Sequence, residues 1–241
     1  MPLPKPNKMG KEGLMIVIGM GSGRSGTKSL AKMLDEQDHA KVTHEYGEPL
    51  HWDLNELHWQ LWEDRLDKWK EKSNKYWESY ADMGLNTDDV KGCLYGDVAS
   101  WYLPYIEKSV RESGDSDFLQ ELDDGNYAYH IRVIVLKRDK DEVIESFDAW
   151  TGQGNRWQEK GGDWPEYDHA FPTYPDELSK REAIGQYWED YYETCEWLED
   201  VTDFVKVFDI DVLNSEEGQQ KIFDFLGIDG EYVEVHENKR R

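Results

Sequence analysis

Cysteine is scarce in this sequence, and its two cysteines lie far apart. Cys93 and Cys195 belong to no CxxC pair, and no cluster of Cys or His residues accompanies either of them. This pattern excludes a disulfide scaffold and a structural zinc site, and it fits a reducing compartment. Long apolar runs are also lacking, because no segment approaches the roughly 20 apolar residues that a membrane helix needs. We therefore expect no membrane span.

Positive charge is the second scarcity. The chain has 28 Lys and Arg residues against 52 Asp and Glu residues, which gives a formal net charge of −24. An acidic surface repels nucleic acid and anionic membranes, so we expect neither as a partner. If such a protein binds an anionic ligand, its few basic residues must be concentrated at the binding site.

The length of 241 residues suits one sizeable domain, and a hydrophobic content of 38% is enough for a core. Residues 1–12 are rich in Pro and Lys and lack the apolar stretch of a secretory signal. We interpret them as a flexible lead-in to a single domain over residues 13–241, and we expect a cytoplasmic protein.

Short apolar segments alternate with longer amphipathic segments along this domain. Strands that alternate with helices form parallel sheets covered on both faces, so the pattern predicts a three-layer α/β/α fold with a P-loop-type sheet. Strands are predicted at Leu14–Gly19, Ala40–His44, Cys93–Val98, Ile131–Lys137 and Phe204–Phe208. Helices are predicted at Gly26–Gln37, Asp53–Met83, Asp139–Trp150, Leu178–Asp200 and Glu216–Leu226. Asp53 and Glu56 resemble a capping box at the start of the second helix.

The segment at about 150–178 combines aromatic residues with Gly and Pro and has no clear periodicity. We interpret it as an ordered loop or lid. We expect its aromatic side chains to line a pocket for an acceptor substrate. These side chains are Trp157, Trp164, Tyr167, Phe171 and Tyr174.

A glycine-rich loop follows the first predicted strand directly, because GMGSGRSGTKS leads from that strand into a helix. In such a unit, backbone N–H groups and the positive end of the helix dipole face one small volume. The pattern favours a phosphate site over a turn that merely needs glycine. It departs from the nucleotide triphosphatase pattern GxxxxGK[ST], since Thr27 follows Gly26 and Lys28 comes one place late.

The remaining residues of the loop resemble a different family. Arg24-Ser25-Gly26-Thr27 is similar to the 5′-phosphosulfate loop of the sulfotransferases, and an Arg in this place resembles the tyrosylprotein sulfotransferases. These enzymes use 3′-phosphoadenosine 5′-phosphosulfate (PAPS). The resemblance implies that the 5′-phosphosulfate is surrounded by Gly23, Arg24, Ser25, Gly26, Thr27, Lys28 and Ser29. A guanidinium at Arg24 can stabilise the charge that develops on the leaving phosphate.

A second part of the resemblance lies in IRVIVLKRDKDEVIESF. Arg138 ends the predicted strand, and Ser146 follows eight residues later in the next helix. This arrangement is similar to the family's 3′-phosphate motif, which implies that Arg138 and Ser146 bind that phosphate. Residues 131–140 also form one of the few basic regions of an acidic chain.

The resemblance also implies a catalytic base, because sulfuryl transfer requires the acceptor hydroxyl to lose its proton. Glu45 follows the second predicted strand, as the proposed base of the tyrosylprotein enzymes does. His44 is the alternative, since cytosolic relatives use a histidine. Side chains alternate along a strand, so we expect only one of the two to reach the site.

The implied function is transfer of a sulfuryl group from PAPS to the hydroxyl of a sugar, a tyrosine or a small alcohol. No metal is expected, because a sulfuryl group carries less charge than a phosphoryl group. Two alternatives remain, namely a nucleotide-dependent phosphotransferase and a non-catalytic nucleotide-binding module of the same fold.

Overall fold

The computed structural model describes residues 14–82, 94–120, 129–151, 157 and 169–235. In these residues five parallel strands form one sheet in the order β2-β3-β1-β4-β5. The strands are β1 (Leu14–Met20), β2 (Ala40–His44), β3 (Leu94–Val98), β4 (Tyr129–Lys137) and β5 (Val205–Asp209). The helices are α1 (Thr27–Asp35), α2 (Glu56–Asp82), α3 (Leu103–Gln120), α4 (Lys140–Thr151), α5 (Lys180–Val201) and α6 (Glu216–Leu226).

Alternation along the strands places apolar side chains on both faces of the sheet. On β1, Ile16 and Ile18 belong to the cluster that packs under α2, α3, α4 and α5. Met15 and Val17 belong to the opposite cluster, which packs against α1 and α6. Both faces are therefore covered, which confirms the predicted three-layer parallel α/β/α fold.

The sequence-based prediction located these elements closely but missed α3. Its sequence LPYIEKSVRESGDSDFLQ is rich in charged residues, so its apolar periodicity is weak. Pro104 at the second position was the available signal, because the first turn of a helix tolerates proline. The predicted Cys93 end of β3 lies outside the described residues.

One predicted helix start is corrected by the structure. Asp53 does not cap α2, because the side chain of Asn55 accepts a hydrogen bond from the backbone N–H of His58 at 3.0 Å. The complete capping box occurs instead at the start of α5, where Ser179 and Glu182 bond to each other's backbone N–H groups. Gly227 ends α6 in the left-handed conformation, as its position predicts.

The sheet order brings the ends of distant segments together. The chain moves from β1 to β2 and β3 on one side, and then crosses to β4 and β5 on the other side. In open α/β sheets ligands bind at the carboxyl ends of the strands where the order reverses, which here is the end of β1. Within the described part of the chain, no helix is both long and apolar enough to cross a membrane.

Candidate active site

The loop between β1 and α1 has a backbone conformation that few residues adopt. Gly23, Arg24 and Gly26 have φ values of 79°, 55° and 87°. Gly26 precedes the first residue of α1, and no side chain caps the helix there. Because the first N–H groups of a helix lack partners within it, the uncapped start of α1 is suited to an anion.

The predicted loop residues differ in their exposure. Ser25, Thr27 and Ser29 are buried, whereas Lys28 is exposed. Gly21 lies so close to its surroundings that an added Cβ would fall 2.0 Å from the Ser25 hydroxyl oxygen and 2.9 Å from the Leu136 carbonyl oxygen. The loop therefore requires glycine at this position because of its close contact with the end of β4.

Arg24 contacts the second predicted motif. Its Nε donates a hydrogen bond to the hydroxyl oxygen of Ser146 on α4 at 3.0 Å. Its guanidinium carbon also lies 5.6 Å from the ring centroid of Trp150, one turn further along α4, within the range of a cation–π contact. The two motifs are thus neighbours in space, although 122 residues separate Arg24 from Ser146.

Arg138, just after the end of β4, also contacts the first loop. Its Nη1 donates a hydrogen bond to the backbone carbonyl of Arg24 at 2.9 Å. Its Nε donates to the carboxylate of Glu142 at 2.7 Å. Sequence reasoning missed Glu142, although four residues separate the pair and helical side chains at this spacing face each other.

The two guanidinium groups are close enough to affect each other electrostatically. Partial loss of hydration lowers the pKa of Arg24, the charge of Arg138 lowers it further, and Glu45 acts in the opposite direction. Arginine stays protonated in proteins, so the two like charges repel each other. An anion bound between them would relieve this repulsion.

His44 and Glu45, the two candidate bases, lie close to each other at the end of β2. His44 Nε2 is 3.1 Å from the hydroxyl oxygen of Thr27 and 4.0 Å from Glu45 Oε1. β2 ends at His44, and Glu45 adopts φ of 54° just after it. His44 contacts α1 through Thr27, and Glu45 is close enough to Arg24 to act on its charge.

The electrostatic surroundings of His44 favour its neutral form. Burial lowers the pKa of His44, although Glu45 and Asp97 act to raise it, and Lys28 lowers it further. The imidazole is therefore neutral at pH 7 and can accept a proton or a hydrogen bond.

Asp97, at the end of β3, holds the backbone that follows Glu45. Its carboxylate is fully buried and lies 3.2 Å from the backbone nitrogen of Tyr46, which donates to it. The hydroxyls of Thr43 and Tyr102 donate to the same carboxylate at 2.6 and 2.5 Å. A buried carboxylate with several donors is a stable anchor. Asp97 thus fixes the turn that carries Glu45.

The sequence was compared with models of protein families. The model of the sulfotransferase domain matches residues 16–230. The chain belongs to the sulfotransferase domain family. No match was found among the curated proteins.

Two solved sulfotransferase structures are similar to this family member at low identity. One is a sulfotransferase from Alicyclobacillus acidocaldarius, with 14% identity, coverage of 94% of this chain and 85% of that chain, and a TM-score of 0.42. The other is the sulfotransferase domain of the Synechococcus PCC 7002 olefin synthase, with 15% identity, coverage of 95% and 78%, and a TM-score of 0.42. The family assignment rests on the domain match.

The aromatic segment of this sulfotransferase family member differs from the expectation of a pocket lining. Trp157 is fully buried and Phe171 is 8% exposed, and both pack in the core around Phe147 and Tyr187. These two rings stabilise the fold instead of facing an open cleft. Trp164 and Tyr167 lie outside the described residues.

Three histidine rings lie close together at the start of α2. The rings of His51 and His58 lie 3.6 Å apart, and those of His51 and His169 lie 4.8 Å apart. His58 is buried, which lowers its pKa. Among the described residues, no group of three His, Cys, Asp or Glu side chains has the arrangement of a metal site.

Proposed function

We propose that this protein is a PAPS-dependent sulfotransferase that transfers a sulfuryl group to an acceptor hydroxyl. The supporting observation is the hydrogen bond between Arg138 and the carbonyl of Arg24, which joins two motifs that resemble the two phosphate sites of the family. A ligand with a 5′-phosphosulfate and a 3′-phosphate carries negative charge at both ends. Two adjacent guanidinium groups and an uncapped helix start suit such a ligand.

The residues of the first loop would hold the 5′-phosphosulfate. Backbone N–H groups at the start of α1 would donate to its oxygens, and the hydroxyl groups of Ser25, Thr27 and Ser29 lie near this helix start. When bound, PAPS supplies the sulfuryl group, which moves to the acceptor oxygen as its bond to the 5′-phosphate breaks. Arg24 would stabilise the negative charge that develops on the phosphate oxygen.

Arg138 and Ser146 would bind the 3′-phosphate. In the structure Ser146 accepts a hydrogen bond from Arg24, and Arg138 is paired with Glu142. Arg138 has five N–H donors in total. Two of its nitrogens have partners here, so it can bind a phosphate while keeping its bond to the Arg24 carbonyl.

Glu45 is the proposed base, and it would accept the proton of the acceptor hydroxyl. Its side chain is 32% exposed, and its backbone N–H donates to the Val98 carbonyl at 3.1 Å. His44 lies between Glu45 and Thr27, so it can orient the carboxylate or replace it as the base. The tyrosylprotein type of loop makes a peptide tyrosine one candidate acceptor, beside sugars and small alcohols.

Calorimetry with adenosine 3′,5′-bisphosphate, set against ATP with magnesium, tests the donor. We expect the bisphosphate to bind and ATP to bind much more weakly. Tighter binding of ATP would favour the phosphotransferase, whose loop pattern is broken by the displaced Lys28.

Mass spectrometry of a panel of hydroxyl acceptors incubated with PAPS then tests the transfer. We expect a product heavier by one sulfuryl group. Glu45→Gln should lose about 100- to 10,000-fold in turnover and keep its affinity for the bisphosphate. If His44→Gln loses the turnover and Glu45→Gln keeps it, His44 is the base. Binding with no transfer to any acceptor would indicate a non-catalytic module.

A further inference from the structure

Helix α5 supplies two aromatic side chains to the carboxyl end of β4. Trp188 Nε1 donates a hydrogen bond to the backbone carbonyl of Arg138 at 2.9 Å. The hydroxyl of Tyr192 donates to the backbone carbonyl of Leu136 at 2.6 Å. The two side chains are four residues apart and lie on one face of α5. They hold the backbone on both sides of Lys137, directly at the proposed 3′-phosphate site.

The same Tyr192 hydroxyl also contacts the first loop. Its oxygen lies 3.4 Å from the backbone nitrogen of Ser22 and 3.3 Å from the Ser22 hydroxyl oxygen. A phenol has one proton, and here it is directed to Leu136, so the oxygen accepts from the Ser22 N–H. Burial raises the pKa of Tyr192 to about 12, which keeps the hydroxyl neutral and able to donate.

Tyr192 therefore bonds to both segments that would bind the phosphates. Ser22 is two residues before Arg24, and Leu136 is two residues before Arg138. The segments touch at this level, as the narrow space between Gly21 and the Leu136 carbonyl shows. The ring of Tyr192 is buried and packs against Tyr191 and Trp188, with centroids 5.4 and 4.9 Å away. Its hydroxyl is consequently fixed in place.

We propose that Tyr192 is a positioning residue that fixes the spacing of Arg24 and Arg138, and thereby makes the site selective for ligands phosphorylated at both ends. This inference rests on the proposed function. Two anchors act on one ligand with a high effective concentration only when their spacing matches the ligand. If the distance between Arg24 and Arg138 varied, a ligand bound at Arg24 would gain much less affinity from its second phosphate at Arg138.

The test is Tyr192→Phe, which keeps the ring and removes the hydroxyl. Calorimetry gives the dissociation constants of adenosine 3′,5′-bisphosphate and of adenosine 5′-monophosphate for the wild type and the variant. We expect the affinity for the bisphosphate to fall about tenfold and that for the monophosphate to fall by less than about threefold. The ratio between the affinities for the bisphosphate and the monophosphate should therefore be smaller in the variant than in the wild type.

Tyr187→Phe is the matched control. The Tyr187 hydroxyl is also fully buried on α5, but it has no hydrogen-bond partner among the described residues. Its removal should change neither affinity. Trp188→Phe removes the bond to the Arg138 carbonyl and should narrow the same preference, which keeps the test available if Tyr192→Phe does not fold.

Equal losses for the two ligands would overturn the inference, because Tyr192 would then support the fold in general. If Tyr192→Phe and Trp188→Phe both bound the two ligands as the wild type does, the inference would also be overturned. The proposed function would still stand in that case, provided that the wild type prefers the bisphosphate to the monophosphate. A wild type with no preference for the bisphosphate over the monophosphate would overturn both.

Discussion

The two proposed phosphate-binding segments are held in contrasting ways. The first loop takes its shape from the backbone, with left-handed residues at Gly23, Arg24 and Gly26 and no room for a side chain at Gly21. The second segment makes its contacts through side chains, since Arg138 reaches Glu142 and the Arg24 carbonyl from the end of a regular strand. Its ion pair is partly exposed, with side-chain exposures of 18% and 53%.

The two segments should therefore respond to substitution in different ways. A binding site formed by backbone groups is disrupted as a whole when a substitution adds a side-chain atom, because the buried backbone cannot move aside. A site built from side chains loses its interactions one at a time.

Gly21→Ala should have the largest effect. The added Cβ would lie 2.0 Å from the Ser25 hydroxyl oxygen and 2.9 Å from the Leu136 carbonyl oxygen, so the loop must shift. We expect a loss of about 1–3 kcal/mol in the free energy of unfolding, together with loss of bisphosphate binding. Urea unfolding and calorimetry measure the two quantities.

Gly185→Ala is the matched control for this change. Gly185 lies inside α5, and a Cβ added there would meet first the flexible end of Lys140, at 3.1 Å. Alanine favours a helix by roughly 0.5–1 kcal/mol over glycine, so stability should be equal or higher and binding unchanged. If both variants behaved alike, the first loop would not be the rigid region described here.

Arg24→Ala should have the second largest effect, and it should act mainly on turnover. Arg24 is the proposed stabiliser of the leaving phosphate, so we expect kcat to fall about 100- to 1,000-fold. Steady-state kinetics with PAPS and an identified acceptor measure it. A fall in affinity with kcat unchanged would contradict this role.

Arg138→Ala should act mainly on affinity. Loss of a charge-assisted contact to the 3′-phosphate should weaken bisphosphate binding by about 10- to 100-fold, with a smaller change in kcat. Lys137→Ala is the control, because Lys137 pairs with Glu196 on α5 and should leave binding nearly unchanged. Equal losses in the two variants would show that only the general positive potential matters.

Glu142→Gln should have the smallest effect and the opposite sign. The Glu142 carboxylate partly neutralises the charge of Arg138 before a ligand arrives. Glutamine keeps an oxygen acceptor and removes the negative charge, so we expect the bisphosphate to bind about two- to fivefold more tightly. Weaker binding in calorimetry would mean that Glu142 is needed to orient the guanidinium.

Local patterns allowed much of the fold and the first loop to be predicted from the sequence. The strand–glycine–helix order depends on neighbouring residues, so the first loop, β2 and α6 were located closely. The spacing of Arg138 and Ser146 is also local. That Arg138 and Arg24 would bind one ligand was inferred only through the family resemblance, because 114 residues separate the two arginines.

The supporting network of the site was not predictable in this way. Asp97, Tyr102 and Arg65 come from three separate elements, and their hydrogen bonds follow from tertiary packing. The left-handed backbone at Glu45 has no local signal, since a non-glycine residue rarely adopts it. The turn at Glu45 brings its carboxylate within 4.0 Å of His44 Nε2.

The central claim is that the first loop and the Arg138 segment bind opposite ends of one doubly phosphorylated adenosine. A crystal structure of the complex with adenosine 3′,5′-bisphosphate tests it most directly. We expect the 5′-phosphate at the start of α1 and the 3′-phosphate within hydrogen-bond distance of Arg138 and Ser146. A nucleotide bound at the first loop with its 3′-phosphate in solvent, away from Arg138, would contradict the claim.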